Sequence, residues 1–271
     1  MRRCRDATYH YVAVTPIAWA RLRAGPTIAM DRRRRGIVRT AMILVASYNI
    51  RKAIAADRRR RPERILDVLE EIGADVVLMQ EADRRFGDRH SAIPFHMLAD
   101  HGGYRPVPFD MRHGSIGWHG NAVLVSERVE IVRHQPLHLP ALEPRGAVLA
   151  DLRVEGQDLR VVGMHLDLSG LLRRRQARAI LTQLGEQSVS LPTVLAGDLN
   201  EWTSGGCIRD FCGHHRPLPL GPSFHARRPV ARLDRIFVGD GIRVEGCGVH
   251  GSLLARTASD HLPVWARIAI G

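Results

Sequence analysis

Nothing in the 271 residues approaches the ~18 consecutive apolar residues of a membrane-spanning helix; the best runs, such as Ala41–Ala46, are far shorter. Four cysteines in a chain of this length are too few for a disulfide framework. Cys207 and Cys212 lie near His214 and His215, but that spacing fits no standard zinc pattern, so they read as ordinary reduced thiols. There is no Gly-x-Ser-x-Gly for a serine hydrolase and no Walker A loop for a nucleotide switch. Gly246-Cys247-Gly248-Val249-His250-Gly251 has the letters of a dinucleotide-binding loop, yet the short remainder of the chain has no room for a βαβ unit; a glycine-rich turn is expected instead. His134 and His138 are four apart, but Pro136 between them excludes the helix a zinc protease needs. Lysine is nearly missing. Lys52 is the only one among 40 basic residues, a bias toward arginine that reads as compositional.

The net charge of +12 is unevenly spread. Residues 1–40 hold ten arginines against Asp6 and Asp31, which leaves +4 for the remainder. Most of the excess therefore belongs to the first forty residues. The surplus in the rest favours the approach of an anionic substrate without identifying one. Ala18-Trp19-Ala20 has the look of a signal-peptidase site, but Pro16 interrupts the apolar run and Arg21, Arg23 and Arg32–Arg35 come directly after it, which disfavours export. Residues 1–41 are expected to be a basic extension, or to precede the true start, with one domain over 42–271. Reduced thiols and the lack of a span point to a cytoplasmic protein, and a monomer is expected.

From Met42 onward strand-like and helical segments alternate. Apolar runs at Met42–Ile50, Asp75–Ala82, Asn121–Ser126, Val129–His134, Thr193–Asn200, Arg232–Val238 and His261–Ile270 predict strands. Gly146–Val154 and Leu159–Leu168 predict a hairpin around residues 155–158. Pro62–Gly73 predicts a helix, with Pro62 in its first turn, Glu63 at its positive end and Ile65, Leu66, Leu69 and Ile72 in one stripe; Leu171–Gln187 predicts another. Residues 83–120 and 201–231 are irregular and are the expected seats of specificity. In the first, Phe86, Phe95, Tyr104, Phe109 and Trp118 interleave with Arg84, Arg85, Arg105 and Arg112, a pattern that either stacks bases or packs the loop onto the domain. Many strands, few helices and inserted hairpins favour two stacked sheets with helices outside.

Amides, carboxylates and imidazoles collect at the ends of these strands: Asn49, Glu81, His165, Asp198 with Asn200, Asp234, and Asp260 with His261. One acid at a strand end is an ordinary turn residue. Six such placements describe an oxygen-rich site for a hard cation beside two imidazoles, the equipment of metal-assisted phosphoester hydrolysis.

The strings that carry these residues are Tyr48-Asn49-Ile50, Leu78-Met79-Gln80-Glu81, Gly120-Asn121-Ala122, Met164-His165-Leu166, Gly197-Asp198-Leu199-Asn200, Leu233-Asp234-Arg235-Ile236 and Ser259-Asp260-His261-Leu262-Pro263. In that order, from Met42 to Ile270, they resemble the endonuclease/exonuclease/phosphatase (deoxyribonuclease I-like) superfamily, most closely its poorly characterised bacterial members. The resemblance implies a four-layer α/β/β/α sandwich of two mixed sheets with outer helices. It implies Mg²⁺, with Mn²⁺ able to substitute, held by Glu81 and Asn49 with Asp260 closing or supporting the site. Asp198 and Asn200 would hold the attacking water and a phosphate oxygen. His261, oriented by Asp234, would be the general base (a role some schemes give to Asp198), and His165 would bind phosphoryl oxygens. Asn121, Arg51 and Arg173 are candidate substrate contacts. Arg51 stands where the family's abasic-site endonucleases carry an acid, and Arg232 where its inositol-polyphosphate phosphatases carry tryptophan. The first departure counts against an abasic-site endonuclease and the second against an inositol-type phosphomonoesterase, which leaves a phosphodiesterase acting on nucleic acid or a phospholipid head group as the favoured reading. A non-catalytic protein that binds nucleic acid or anionic lipid is the rival from another class; it has no use for both imidazoles and every acid.

Overall fold

The computed structural model describes residues 41–84, 90–109, 114–141 and 145–271. Residues 1–40, and Arg85, Phe86 and Arg112 of the long loop, lie outside them. In chain order the described elements are β1 (Met42–Asn49), α1 (Pro62–Ile72), β2 (Val76–Gln80), α2 (Phe95–Gly102), β3 (Tyr104–Pro106), β4 (Ala122–Ser126), β5 (Val129–Leu137), β6 (Gly146–Val154), β7 (Gln157–His165), α3 (Gly170–Gly185), β8 (Thr193–Asp198), α4 (Cys207–Cys212), β9 (Arg216–Pro217), β10 (Asp234–Val238), β11 (Ile242–Val249), α5 (Ala255–Ala258) and β12 (Val264–Ile270).

The strands form two six-stranded sheets, ordered β11-β12-β1-β2-β4-β3 and β5-β6-β7-β8-β10-β9. Each sheet is antiparallel except for one inner parallel pair, β1 with β2 and β7 with β8. A parallel pair needs a crossover, and α1 and α3 supply it. The period-2 alternation of the strands sorts their side chains. Ile43, Val45, Val76 and Leu78 meet Val148, Ala150, Val194 and Ala196 in the core between the sheets. The alternate residues Ala46, Tyr48, Val77 and Met79 pack outward against Ile65, Leu66, Val68 and Leu69 of α1. Leu149, Val162, Leu195 and Phe237 pack against Ala177 and Ile180 of α3 and Phe211 of α4. The layers therefore run α/β/β/α, as expected. Pro62 sits in the first turn of α1, and Gly73 ends it in the left-handed conformation at φ 61°, donating its N–H to Leu69 O at 2.9 Å.

Two expectations need correction. The glycine-rich stretch 246–251 is not simply a turn: it begins inside β11, where the Trp265 indole lies so close over Gly248 that a Cβ there would meet it at 3.2 Å. The segments 83–120 and 201–231 are not irregular throughout, since they contain α2, β3, α4 and β9. Of the two roles left open for the aromatics of 83–120, Tyr104 and Phe109 take the packing one: both are core residues, Tyr104 Oη donating to Ala74 O at 2.7 Å. Pro136 is accommodated because β5 is a sheet edge. Cys207, the first residue of α4, is buried in the core as a free thiol. No helix of the described residues is long and apolar enough to cross a membrane.

Arg173, in the first turns of α3, clasps two loops together. Its guanidinium donates to Leu168 O at 2.6 Å and to Glu201 Oε2 at 3.2 and 3.3 Å. Burial opposes ionisation of Glu201, but the Thr203 amide and hydroxyl and the Arg173 charge hold its carboxyl below the usual range. Such a carboxylate stabilises the fold above its unfolded pKa of about 4.3, and the contribution disappears as pH falls through the lower folded value. Glu201→Gln is therefore expected to cost about 3 kcal/mol at pH 7, by leaving the buried guanidinium without its counter-charge. The gap between the thermal melts of the two proteins should begin to narrow once pH falls below about 4.3 and should close below the folded value of Glu201; a pH-independent difference would contradict the assignment. Gly197 is the second sensitive point, because a Cβ there would lie 1.9 Å from Met164 O on the neighbouring strand. Gly197→Ala should lower the melting temperature sharply, and an unchanged melt would refute that close approach.

Candidate active site

The two parallel strand pairs aim their C-terminal ends at the same place. In one sheet Asn49 lies opposite Gln80, with Glu81 next in the chain. In the other, His165 lies opposite Asp198, and Asp198 opposite Asp234. His165, Asp198 and Asp234 thus stand abreast on three neighbouring strands. Glu81 and Asn200 turn the chain out of its strand in the left-handed region, at φ 52° and 50°. Non-glycine residues adopt that conformation at a cost, and it concentrates where function dictates geometry.

Asp198 is the meeting point. Its Oδ2 accepts from Asn49 Nδ2 at 3.0 Å and lies 3.5 Å from His165 Nε2 and 3.7 Å from His261 Nε2. Its Oδ1 accepts the Asn200 amide N–H at 2.9 Å. Behind it, His261 Nδ1 bonds Asp234 Oδ2 at 2.8 Å, and Ser223 Oγ donates to the same oxygen at 2.5 Å. Ser259 Oγ ties the segment before His261 to Asn49 O at 2.7 Å. All of these side chains are buried or nearly so.

The two imidazoles respond to this setting in opposite senses. Burial pushes His165 down to about 3, outweighing the pull of Asp198, and the Arg145 guanidinium adds to the depression. Burial also works against charge on His261, but Asp234 and Asp198 flank it and raise its pKa to about 10. His165 is accordingly neutral, with Nε2 taking a hydrogen bond from Arg145 Nη1. Arg145 also donates to Leu166 O at 2.9 Å.

Glu81 and Asp260 each face a cation from the turn after β1. Lys52 Nζ pairs with Glu81 Oε2, and Arg51 Nε lies 3.2 Å from Asp260 Oδ2. Both carboxylates keep about a fifth to a quarter of their side-chain surface exposed. Together with the Asn49 carbonyl they offer the hard oxygens that Mg²⁺ prefers, at a place that already attracts positive charge, so these residues fit a divalent ion. By ligand spacing alone, Asp198, Asp234 and His261 also group, with one ligand atom from each inside a 4.8 Å span. In that trio Asp234 Oδ2 is already hydrogen-bonded to His261 and Ser223, while Asp234 Oδ1 is buried without a partner among the described residues.

Of the expected residues, Asn49, Arg51, Glu81, His165, Asp198, Asn200, Asp234, Asp260 and His261 come together. Asn121 is fully buried beside them, its Nδ2 donating to Gly146 O at 3.1 Å. It bridges the two sheets, and its Oδ1 is buried without a partner among the described residues. Arg173 lies apart, spent on Glu201 and two carbonyls. Sequence reasoning missed Lys52, Arg145, Ser223 and Phe224, whose ring centroid lies 4.9 Å from that of His261. Only Lys52 carried a signal, as the one lysine in an arginine-rich chain.

The chain matches the model of the Endonuclease/Exonuclease/phosphatase family over residues 46–261. No curated protein matches it. Among solved structures it is similar to the endonuclease/exonuclease/phosphatase from Bacteroides vulgatus, at 18% identity and TM-score 0.68, covering 85% of this chain and 100% of that one. It is similar to D. rerio TDP2 complexed with single-strand DNA product, at 15% identity and TM-score 0.65 over 84% and 99%. It is also similar to the Bacteroides thetaiotaomicron mannosyl-6-phosphatase Bt3783, at 21% identity and TM-score 0.65 over 83% and 99%. With the family match spanning most of its length, the chain belongs to the endonuclease/exonuclease/phosphatase family of phosphoric ester hydrolases.

Proposed function

We propose that the protein is a divalent-metal-dependent phosphodiesterase that hydrolyses its substrate by in-line attack of water. The observation that carries this reading is the row His165, Asp198 and Asp234 on three adjacent strands, with His261 closed against both carboxylates. Mg²⁺, or Mn²⁺ in its place, on the oxygens of Glu81, Asn49 and Asp260 would withdraw charge from the phosphoryl oxygens and orient the ester.

The chain's own groups supply the rest. Asp234 holds His261 by Nδ1, so the proton is taken or given at Nε2, the nitrogen that faces Asp198. Asn200 commits its Nδ2 to Leu166 O at 3.0 Å, which leaves Oδ1 as the acceptor that orients the attacking water. Asp198 fixes Asn200 and both imidazoles around that position. His165 is neutral, so the positive charge for the phosphoryl oxygens comes from Arg145 beside it, and His165 aims that guanidinium. Arg51, across from Asp260, is a second group within the site that suits an anionic oxygen.

The structural relatives, one holding a DNA product and one a sugar phosphatase, leave diester and monoester both open, since at these identities they speak for the fold. Arg232, exposed two residues before Asp234, favours the diester. With Mg²⁺ the full chain should hydrolyse bis(p-nitrophenyl) phosphate faster than p-nitrophenyl phosphate, and EDTA should abolish the reaction. His261→Ala should lower the rate ~10²–10⁴-fold, and Asp234→Asn should fall in the same direction because the imidazole loses its orienting partner. Turnover indifferent to EDTA, or a preference for the monoester, would overturn the proposal.

A further inference from the structure

The segments that adjoin the catalytic strand ends, loops and the first turn of α3, expose large apolar side chains that the chemistry does not use. Leu168, Leu171, Trp202 and Val230 keep 64%, 63%, 64% and 72% of their surface in water. They follow His165, follow Asn200, and precede Asp234. A chain of contacts joins Leu168, Trp202 and Val230 around the site. Arg173 ties Leu168 O to Glu201, Trp202 is the next residue, its ring meets Phe224 edge-on at 6.1 Å, and Phe224 O accepts the Val230 N–H at 2.7 Å. Phe224 itself packs on His261. The exposure is built, because Glu201 is buried beside Trp202 and is held by Arg173 and by the Thr203 amide and hydroxyl.

The charge on the same segments has one sign at the surface. Over 166–175, 201–206 and 224–232 the exposed charged residues are Arg174, Arg175, Arg227, Arg228 and Arg232, of which Arg174 is paired with the Asp210 carboxylate of α4 at 3.4 Å, while the acids, Asp167 and Glu201, are both buried. Arginines alone would suit any polyanion. The aliphatic side chains separate the candidates, because a polynucleotide offers no surface on which Leu168, Leu171 and Val230 leave water, whereas a bilayer does. Tryptophan suits the same boundary, with an apolar ring and one polar N–H.

We propose that this rim seats the protein on an anionic phospholipid surface, so that the diester it hydrolyses is a phospholipid head group. The proposal rests on the phosphodiesterase reading. Water adds to phosphorus, the P–O bond to one alcohol breaks, that alcohol leaves with a proton, and a phosphomonoester remains. No further reactant is required.

The test pairs a soluble diester with vesicles, using the full chain. Hydrolysis of bis(p-nitrophenyl) phosphate reports on the chemistry alone, and its absence would sink the diesterase reading whatever the vesicles do. Co-sedimentation with phosphatidylglycerol/phosphatidylcholine vesicles reports on the rim. The expected results are binding to these vesicles, a blue shift of tryptophan emission that Trp202→Phe removes, and release of a phosphomonoester or alcohol from the vesicle lipid. Leu168→Asp with Leu171→Asp should weaken vesicle binding about 10-fold or more by removing two apolar anchors, and should lower vesicle hydrolysis relative to that of the soluble diester. Val230→Asp, on another loop, should act in the same direction. Soluble diesterase activity without vesicle binding would overturn the proposal. So would preferential cutting of a single-stranded oligonucleotide that quenches Trp202.

Discussion

One carboxylate oxygen organises this molecule. Asp198 Oδ2 receives the Asn49 amide from the opposite sheet and stands between the two imidazoles. A carboxylate this deeply buried is tolerated only where donors surround it, since an uncompensated buried charge costs several kcal/mol. The donors come from β1, from the end of β7 and from the segment before β12. Satisfying Asp198 therefore fixes how the two sheets meet at this end. Gly197 next to it lets β8 run against β7 without a Cβ in the way.

The same constraint explains why the two histidines differ. Both are buried, and burial alone would strip each of its charge. Asp234 is opposed to His261 and not to His165, while Arg145 is set against His165. On the proposed reading, a neutral ring next to a guanidinium and a ring between two carboxylates divide the work: one aims positive charge and the other handles the proton. Asp198 and Asp234 come from the second sheet, whereas His261, like Asn49, Glu81 and Asp260, comes from the strand ends and loops of the first.

Much of this arrangement was legible in the sequence. The apolar runs ending in Asn49, Glu81, His165 and Asp198 mark strands whose polar ends must gather, and Pro62 and Gly73 delimit α1 within a residue of its observed ends. Long-range partners left no local trace. Arg145 and Phe224 lie in stretches with no motif, and reach the site only because β6 pairs with β7 and because the loop before β10 folds onto His261. The alternation of aromatics and arginines in 83–120 was ambiguous for a physical reason. A ring that packs the core and a ring that faces a ligand obey the same spacing, and Tyr104 and Phe109 proved to be the former. The glycines of 246–251 are explained in part by Trp265, a partner distant enough in sequence to hide their role in β11.

The most direct test of this division of labour is to locate the ion. Crystals soaked in Mn²⁺ and measured at its absorption edge should give an anomalous peak within about 2.0–2.3 Å of a Glu81 carboxylate oxygen, with Asn49 and Asp260 beside it and the His261–Asp234 hydrogen bond intact. A peak held by Asp198, Asp234 and His261 instead would break the dyad and contradict the account.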